Sequence, residues 1–466
     1  MSNPSQDVLE TIDRDRARYL DELKDFLRIP SVSADPTHRA DVRRAAEFVR
    51  DRLGEAGLTA ELVERGEGNP LVYGEWTAAP GKPTLLFYGH YDVQPPDPLD
   101  EWRNPPFEPT EEDGRLVARG ATDDKGQSYA HVKAVEALLA TRGELPVNVK
   151  FLVEGEEEVG GETIEAFVRE DAGKRLACDA VVVSDSSMYA PGQPSLVYGL
   201  RGLCYMEIRV QGPDRDLHSG SYGGAVRNPA NALATILARM RDEETGRVLI
   251  PGFYDAVRPL ADWEREEFAA LPFDEAAYSR AIDVPGVAGE EGYTTRERAS
   301  ARPTLDVNGI WGGYQGEGAK TILPARAGAK VSMRLVPDQD PEEIARLFRE
   351  FVESVAPSGV TVEVHDLHHA QSALVDVQGP LAEAAMDALE AEWGKRPVRV
   401  REGGSIPIVA TFAEVLEVPV LLMGFGLDDD RLHAPNEKFD IAHFYGGIRT
   451  TARFLDRAAE VAVGSA

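Results

Sequence analysis

Short apolar runs that stop abruptly at His, Asp or Glu constrain this chain more than any other feature. TLLFYG runs into His90-Tyr91-Asp92, KFLVEG into Glu156-Glu157-Glu158, and AVVVS into Asp185. PVLLMGFG leads through a short loop to His433 in HAPNE, and RGATDDKGQ sets Asp123 and Asp124 just before a helical stretch. Apolar runs of this length, separated by helical patterns, predict buried strands alternating with helices. That is an α/β domain with a mostly parallel sheet flanked by helices. In open sheets of this kind, sites form beyond the carboxyl ends of the strands. Five segments therefore bring carboxylates and imidazoles to one edge of one sheet.

The rest of the pattern divides the chain. Residues 7–27 carry apolar side chains at helical spacing (Val8, Leu9, Ile12, Leu20, Leu23, Phe26, Leu27), and Pro30 ends the pattern. DVRRAAEFVRDRLGEAG predicts a second helix, stopped by Gly57. Near residue 200 the character changes. CYMEIRVQG alternates with a period of two, NPANALATILARM is helical, and a long polar connection follows. TLDVNGIWGG, AKVSMRLVP, PEEIARLFREFVESV and VTVEVHDL then complete a β-α-β-β-α-β order, which suits a ferredoxin-like antiparallel sheet covered by two helices. Beyond about residue 371 the α/β character returns. The expected architecture is an α/β domain over residues 1–200 and 372–466, interrupted by a smaller α+β domain over 201–371.

Composition removes several function classes. A net charge of −30 disfavours nucleic acid, whose phosphates demand a basic surface. No apolar run reaches the roughly eighteen residues a membrane span requires. MSNPSQDVLETIDRDRARYLDEL has no apolar core of the kind secretory signals carry. Cys178 and Cys204 are the only cysteines, too few for a disulfide framework, and a cytoplasmic location is expected.

The side chains at the strand ends suit two neighbouring divalent ions. A carboxylate can bridge a pair of ions, and imidazole mixed with carboxylate suits zinc or manganese. In His90-Tyr91-Asp92, Asp92 can accept the remaining imidazole N–H and fix the ligating tautomer. A carboxylate not used as a ligand can serve as general base. Each piece alone has an ordinary structural explanation: an acidic run is commonly a solvated face, and paired aspartates before a helix commonly cap it. Together on one edge, they point to a dinuclear centre.

The motifs YGHYDVQP, RGATDDKG, EGEEEVGG, YGLRG, DLHSGSYGG, GAKTILP, REGGSIP and HAPNE span nearly the whole chain. On them the sequence resembles the dinuclear-metal peptidase family of carnosinases, cytosolic nonspecific dipeptidases, aminoacylases, acetylornithine deacetylases and succinyl-diaminopimelate desuccinylases. DLHSGSYGG and REGGSIP bring it nearest the carnosinase and dipeptidase branch. The resemblance implies that His90 and Asp185 hold one metal, Glu158 and His433 the other, and that Asp123 bridges them, with Asp124 structural. It implies Glu157 as general base, Glu156 as a variable position, and Asp92 as the residue orienting His90. It implies two divalent ions per subunit, zinc first, with manganese or cobalt as alternatives.

The resemblance also implies that the smaller domain is a lid and dimerisation domain. His218 would act on the scissile carbonyl from the partner subunit of a homodimer. Arg334 would take a substrate carboxylate, while Thr321, His368, Glu402 and Ser405 would line the pocket; His369 beside His368 leaves the register there open. An Asp at position 185 leans toward dipeptidase specificity. The expected function is hydrolysis of dipeptides or short peptides. An N-acyl-amino-acid amidohydrolase is the alternative, and a catalytically inactive binding relative a further one.

Overall fold

The structure, a computed structural model, describes residues 6–462. The MSNPS start of the N-terminal reading and residues 463–466 lie outside the described residues. The chain divides into two compact units, one of Met1–Tyr198, Val375–Val400 and Ile406–Ala466, the other of Gly199–Leu374 and Arg401–Ser405. The strands that bear on the site are β1 (Thr59–Val63), β2 (Leu71–Trp76), β3 (Thr84–His90), β4 (Asn148–Glu154), β5 (Ala180–Val183) and β6 (Ser195–Leu200), then β7 (Gly202–Gln211), β8 (Thr304–Gly312), β9 (Arg326–Leu335), β10 (Thr361–Ala370) and finally β11 (Val420–Leu422).

In the first unit the strand order is β1-β2-β4-β3-β5-β11-β6. β4, β3, β5 and β11 run parallel, with antiparallel pairs toward both edges. β3 and β5 read as continuous apolar runs because both of their faces are covered. The helix Lys125–Arg142 is buried on most of its surface, including Lys125, Gln127, His131 and Lys133, so its sequence lacks a polar face. Lys125 is satisfied by the carbonyls of Phe26 and Ile29, at 3.2 and 2.7 Å. That helix lies hard against the end of β3. A Cβ at Gly89 would come within 2.5 Å of the Ser128 Cβ, so only glycine permits the approach.

In the second unit β8-β9-β7-β10 form an antiparallel sheet, the ferredoxin-like order expected of the β-α-β-β-α-β pattern. One face buries Cys204, Met206, Ile208, Val331 and Met333 against Leu233 and Ile236 of the helix Pro229–Ala238 and Ile344, Phe348 and Val352 of the helix Pro341–Val355.

Two local expectations need correction. Residues 7–27 form two helices, Gln6–Arg14 and Arg16–Leu27, interrupted at Asp15, whose side chain pairs with Arg14 and Arg18. The apolar spacing stays nearly in phase across the break, which hides it from the sequence. The long polar connection contains the helices Asp262–Ala270, Glu275–Ala281 and Thr295–Ser300. The last starts from a reciprocal cap between Thr294 and Glu297, a signal readable in TTRE. No helix among the described residues is long and apolar enough to cross a membrane.

Candidate metal centre

The parallel register sets the strand ends level, since His90 at the end of β3 pairs with Glu154 at the end of β4. Beyond them, His90 Nε2 lies 3.1 Å from Asp123 Oδ1, and His433 Nε2 lies 3.0 Å from Asp123 Oδ2. Glu158 Oε2 is 3.5 Å from the same His433 nitrogen. Two groups of donor atoms result, His90–Asp123–Asp185 and Asp123–Glu158–His433, each with all its atoms within 4.8 Å of one another. Asp123 belongs to both groups and turns one oxygen toward each. That is the disposition of a bridging carboxylate.

Asp92 ties the two groups together. Its Oδ2 accepts the Glu158 backbone N–H at 3.2 Å, and its Oδ1 lies 3.4 Å from His90 Nδ1. The nearest acceptor for that imidazole nitrogen is the Asp92 carbonyl, at 3.1 Å. The orienting residue therefore offers backbone and carboxylate to the same ring. Asp124 carries no capping bond to its helix; its Oδ2 accepts the His90 backbone N–H at 3.2 Å. Glu156 turns away to receive the N–H groups of Asn69 and Thr163. Glu157, next in the chain, is half-buried and feels the charges of Asp185, Glu158 and Asp123.

Three supporting residues escaped the sequence reading. Glu437 accepts Arg119 Nη1 and the Gly120 N–H with Oε2, both at 2.9 Å. Its Oε1 accepts the N–H groups of Thr122 and Asp123, at 3.0 and 3.1 Å. It thus fixes the loop that carries Asp123. Glu437 is the last residue of HAPNE, so the motif contained it without revealing its partner. Asp430 accepts the Thr122 hydroxyl at 2.9 Å, and Gln94 Nε2 donates to Glu158 Oε2 at 2.7 Å. His433 itself sits at φ +58°, a left-handed conformation that costs a non-glycine residue on the order of 1 kcal/mol.

The electrostatics call for cations. Burial, with Asp123 and the neighbouring acids behind it, pushes the Glu158 carboxyl up to about 8 and that of Asp185 up to about 6. Glu157 is held well above the carboxylate range, by burial first and then by Asp185, Glu158 and Asp123 against the opposing pull of His90. Burial alone would raise Asp123 too, but hydrogen bonds with His433 and His90 outweigh it and hold it low. Asp92 Oδ1 is buried without a hydrogen-bond partner. Crowded carboxylates and two imidazoles fit a pair of divalent ions.

A pH dependence follows. Carboxyls raised above their unfolded values of 4.5 and 3.8 keep protons that the unfolded chain has lost, so their contribution to stability falls as pH rises. His433, raised from 6.5 to about 9 by Asp123, has the same sign, with stability present below 6.5 and lost through 9. The metal-free protein should therefore lose melting temperature between about pH 4 and pH 9 through these groups. Metal binds the deprotonated ligands, so the gap between metal-loaded and chelated protein should widen over the same range. Melting curves at pH 5, 7 and 8.5 check this; a gap that narrows toward high pH would contradict the assigned ligand set.

The remaining predicted residues belong to the second unit. His218 pairs with Ile322 in a short antiparallel bridge, and the Ser219 N–H donates to the Thr321 carbonyl at 3.0 Å, which sets His218 and Thr321 side by side. His218 is exposed, and its Nδ1 accepts the Gly220 N–H at 3.0 Å. That bond assigns the ring proton to Nε2, leaving it as a donor. On β9 and β10, Arg334 pairs with Leu203 and His368 with Tyr205, opposite in face to the buried Cys204. A bulge between Asp366 and His368 restores that placement and turns His369 to the helix side, where it meets Glu342 at 3.0 Å. Arg334 Nη1 donates to Ser405 Oγ at 2.9 Å, and Glu402 ends the strand Val398–Glu402 just before it.

The family model described as Peptidase family M20/M25/M40 matches residues 86–457. A Cys-Gly metallodipeptidase of Schizosaccharomyces pombe is 35% identical over 468 residues, covering 97% of this chain and 98% of that protein. The solved structure of the dipeptidase Dug1p from Saccharomyces cerevisiae has a TM-score of 0.89 at 31% identity, covering 99% of this chain and 100% of that one. Human carnosine dipeptidase 1 has a TM-score of 0.88 at 31% identity, covering 97% and 98%.

Proposed function

The chain belongs to peptidase family M20/M25/M40, and on that footing we propose that it is a metal-dependent dipeptidase with two zinc ions at the Asp123-bridged centre. Manganese or cobalt would suit the same nitrogen and oxygen donors. The observation that carries the reading is the pair of donor groups sharing Asp123, with Glu157 half-buried next to Glu158 and in neither group. Similarity to a Cys-Gly metallodipeptidase and to carnosine dipeptidase points the substrate toward dipeptides.

When bound, the ions supply Lewis acidity and make water acidic enough to react near neutrality. Glu157 takes the proton from the attacking water at its carboxylate and passes it to the departing amine. Asp92 holds the His90 ring in one tautomer, and Glu437 holds the Asp123 backbone. His218 donates its Nε2–H to the oxyanion that develops on the scissile carbonyl. Arg334 receives the substrate carboxylate, His368, Glu402, Ser405 and Thr321 surround the substrate ends, and Glu402 is available to a free amino group. Steady-state rates on a dipeptide panel beside N-acetyl and N-succinyl amino acids test the assignment. Faster turnover of the acylated amino acids would replace dipeptidase with deacylase.

In this reading the enzyme is a cytoplasmic homodimer, and His218 serves the site of the partner subunit. The exposure of His218, with its Nδ1 engaged and its Nε2 left to donate, supports that placement. Mixing inactive His218→Ala and Glu157→Gln subunits under exchange makes about half the dimers mixed, each with one doubly damaged and one intact site. Activity should recover to roughly a quarter of wild type by the same two-fold symmetry. No recovery, with exchange verified, would place His218 in the site of its own chain.

A further inference from the structure

Arg201 and Arg334 are half-buried arginines of the second unit that lie within reach of each other's charge. Arg302 is buried and takes Glu290 with two bonds, at 2.7 and 2.9 Å. Arg247 shares Glu290 at 2.9 Å, and Arg401 pairs with Glu264. These guanidiniums are neutralised by acids, whereas the half-buried Arg298 donates to the Glu290 carbonyl at 2.8 Å. Neither Arg201 nor Arg334 has a carboxylate within ion-pair distance among the described residues; the acid whose field reaches both is the exposed Asp306. The two guanidiniums repel each other. Burial first, and Arg334 second, bring Arg201 down to about 10.

Both side chains line one cavity of about 620 Å³ formed wholly by this unit. Both are also fixed to the same turn. Arg201 Nε donates to the Gly403 carbonyl at 3.1 Å, and Ser405 Oγ donates to the Arg201 carbonyl at 2.6 Å while accepting from Arg334 at 2.9 Å. Ser405 thus fixes the Arg201 backbone and the Arg334 guanidinium to one turn. Two half-enclosed cations without a counter-charge are costly, and a bound anion removes that cost. A carboxylate has two oxygens and matches guanidinium forks.

We propose that Arg201 is a second guanidinium of the substrate-carboxylate site, acting with Arg334 around Ser405 on the α-carboxylate of the dipeptide's C-terminal residue. The proposal rests on the dipeptidase reading and on Arg334 as a carboxylate contact. It makes Arg201 a specificity determinant for free-acid substrates. A purely structural Arg201 would hold the carbonyls of Gly403 and Arg302, at 3.1 and 3.4 Å, and nothing more.

The test compares the best free-acid dipeptide with its own C-terminal amide, using the full-length metal-loaded protein. Loss of one charge-assisted contact predicts that Arg201→Gln lowers the acid-over-amide preference in kcat/KM about 10- to 100-fold, mostly through KM. Arg201→Lys keeps the charge without the fork and should fall between wild type and Arg201→Gln. Equal losses on acid and amide would reduce Arg201 to a structural clamp and overturn the proposal, as would loss of fold in both variants. Arg334→Ala on the same substrate pair separates the two levels. If it abolishes the preference while Arg201→Gln leaves it intact, only the role of Arg201 fails. If it leaves the preference intact, the carboxylate reading of Arg334 fails and this proposal falls with it.

Discussion

Glu157→Gln should lower kcat by about 10³- to 10⁴-fold while the protein keeps both metal ions. The geometry separates these two effects. Glu157 is in neither donor group, whereas its neighbour Glu158 lies 3.5 Å from His433 and belongs to one. Glutamine preserves the size of the side chain and much of its hydrogen bonding but cannot accept a proton. Its neutral amide also relieves the crowding that holds the Glu157 carboxyl high, so folding should not suffer. Metal analysis of the purified variant should find wild-type content beside the kinetic loss. Glu158→Gln is the contrasting case, with metal lost from the His433 group. Near-normal turnover by fully loaded Glu157→Gln would remove Glu157 from proton transfer.

What made this centre readable in the sequence was the abruptness with which apolar strands give way to ligands. His90 is the last residue of β3, Asp185 lies two residues past the end of β5, and the acidic run follows β4. A buried parallel strand must be apolar along its length, so a charged residue at its end marks the rim of the sheet. The second unit was readable for the opposite reason, because its half-covered strands alternate and its helices carry one apolar face.

What stayed hidden depends on tertiary contacts that leave no local pattern. Glu437 looks like a loop glutamate, and its four donors come from residues 119–123, more than three hundred positions earlier. The break at Asp15 is invisible because it scarcely disturbs the apolar spacing around it. The choice between His368 and His369 turns on a bulge, and inserting one residue exchanges the faces of everything after it. Arg201 stands within the motif YGLRG, but its lack of an acid partner is a property of three dimensions.

The strongest consequence of a shared ligand is that one substitution should empty two sites. Asp123→Asn is expected to lose both ions, where Glu158→Gln loses one. Each Asp123 oxygen faces a different imidazole, at 3.1 and 3.0 Å, so asparagine must turn its NH₂ toward one of the two groups. A donor in that place opposes a cation, and the remaining carbonyl is neutral. The loop cannot move to compensate, because Glu437 holds the N–H groups of Thr122 and Asp123. Activity should fall at least about 10³-fold, since the Lewis acidity and the base both depend on the loaded centre. Added zinc or manganese should no longer raise the melting temperature, because protection by a ligand requires that it bind the folded state. The metal-free variant should itself melt below the metal-free wild type at neutral pH. Asp123 is the acid whose imidazole partners outweigh its burial, so its loss leaves His90 and His433 without their counter-charge. Paired metal analysis and melting curves decide the matter: an Asp123→Asn protein that holds two ions, or melts higher with added metal as wild type does, is incompatible with a bridging Asp123.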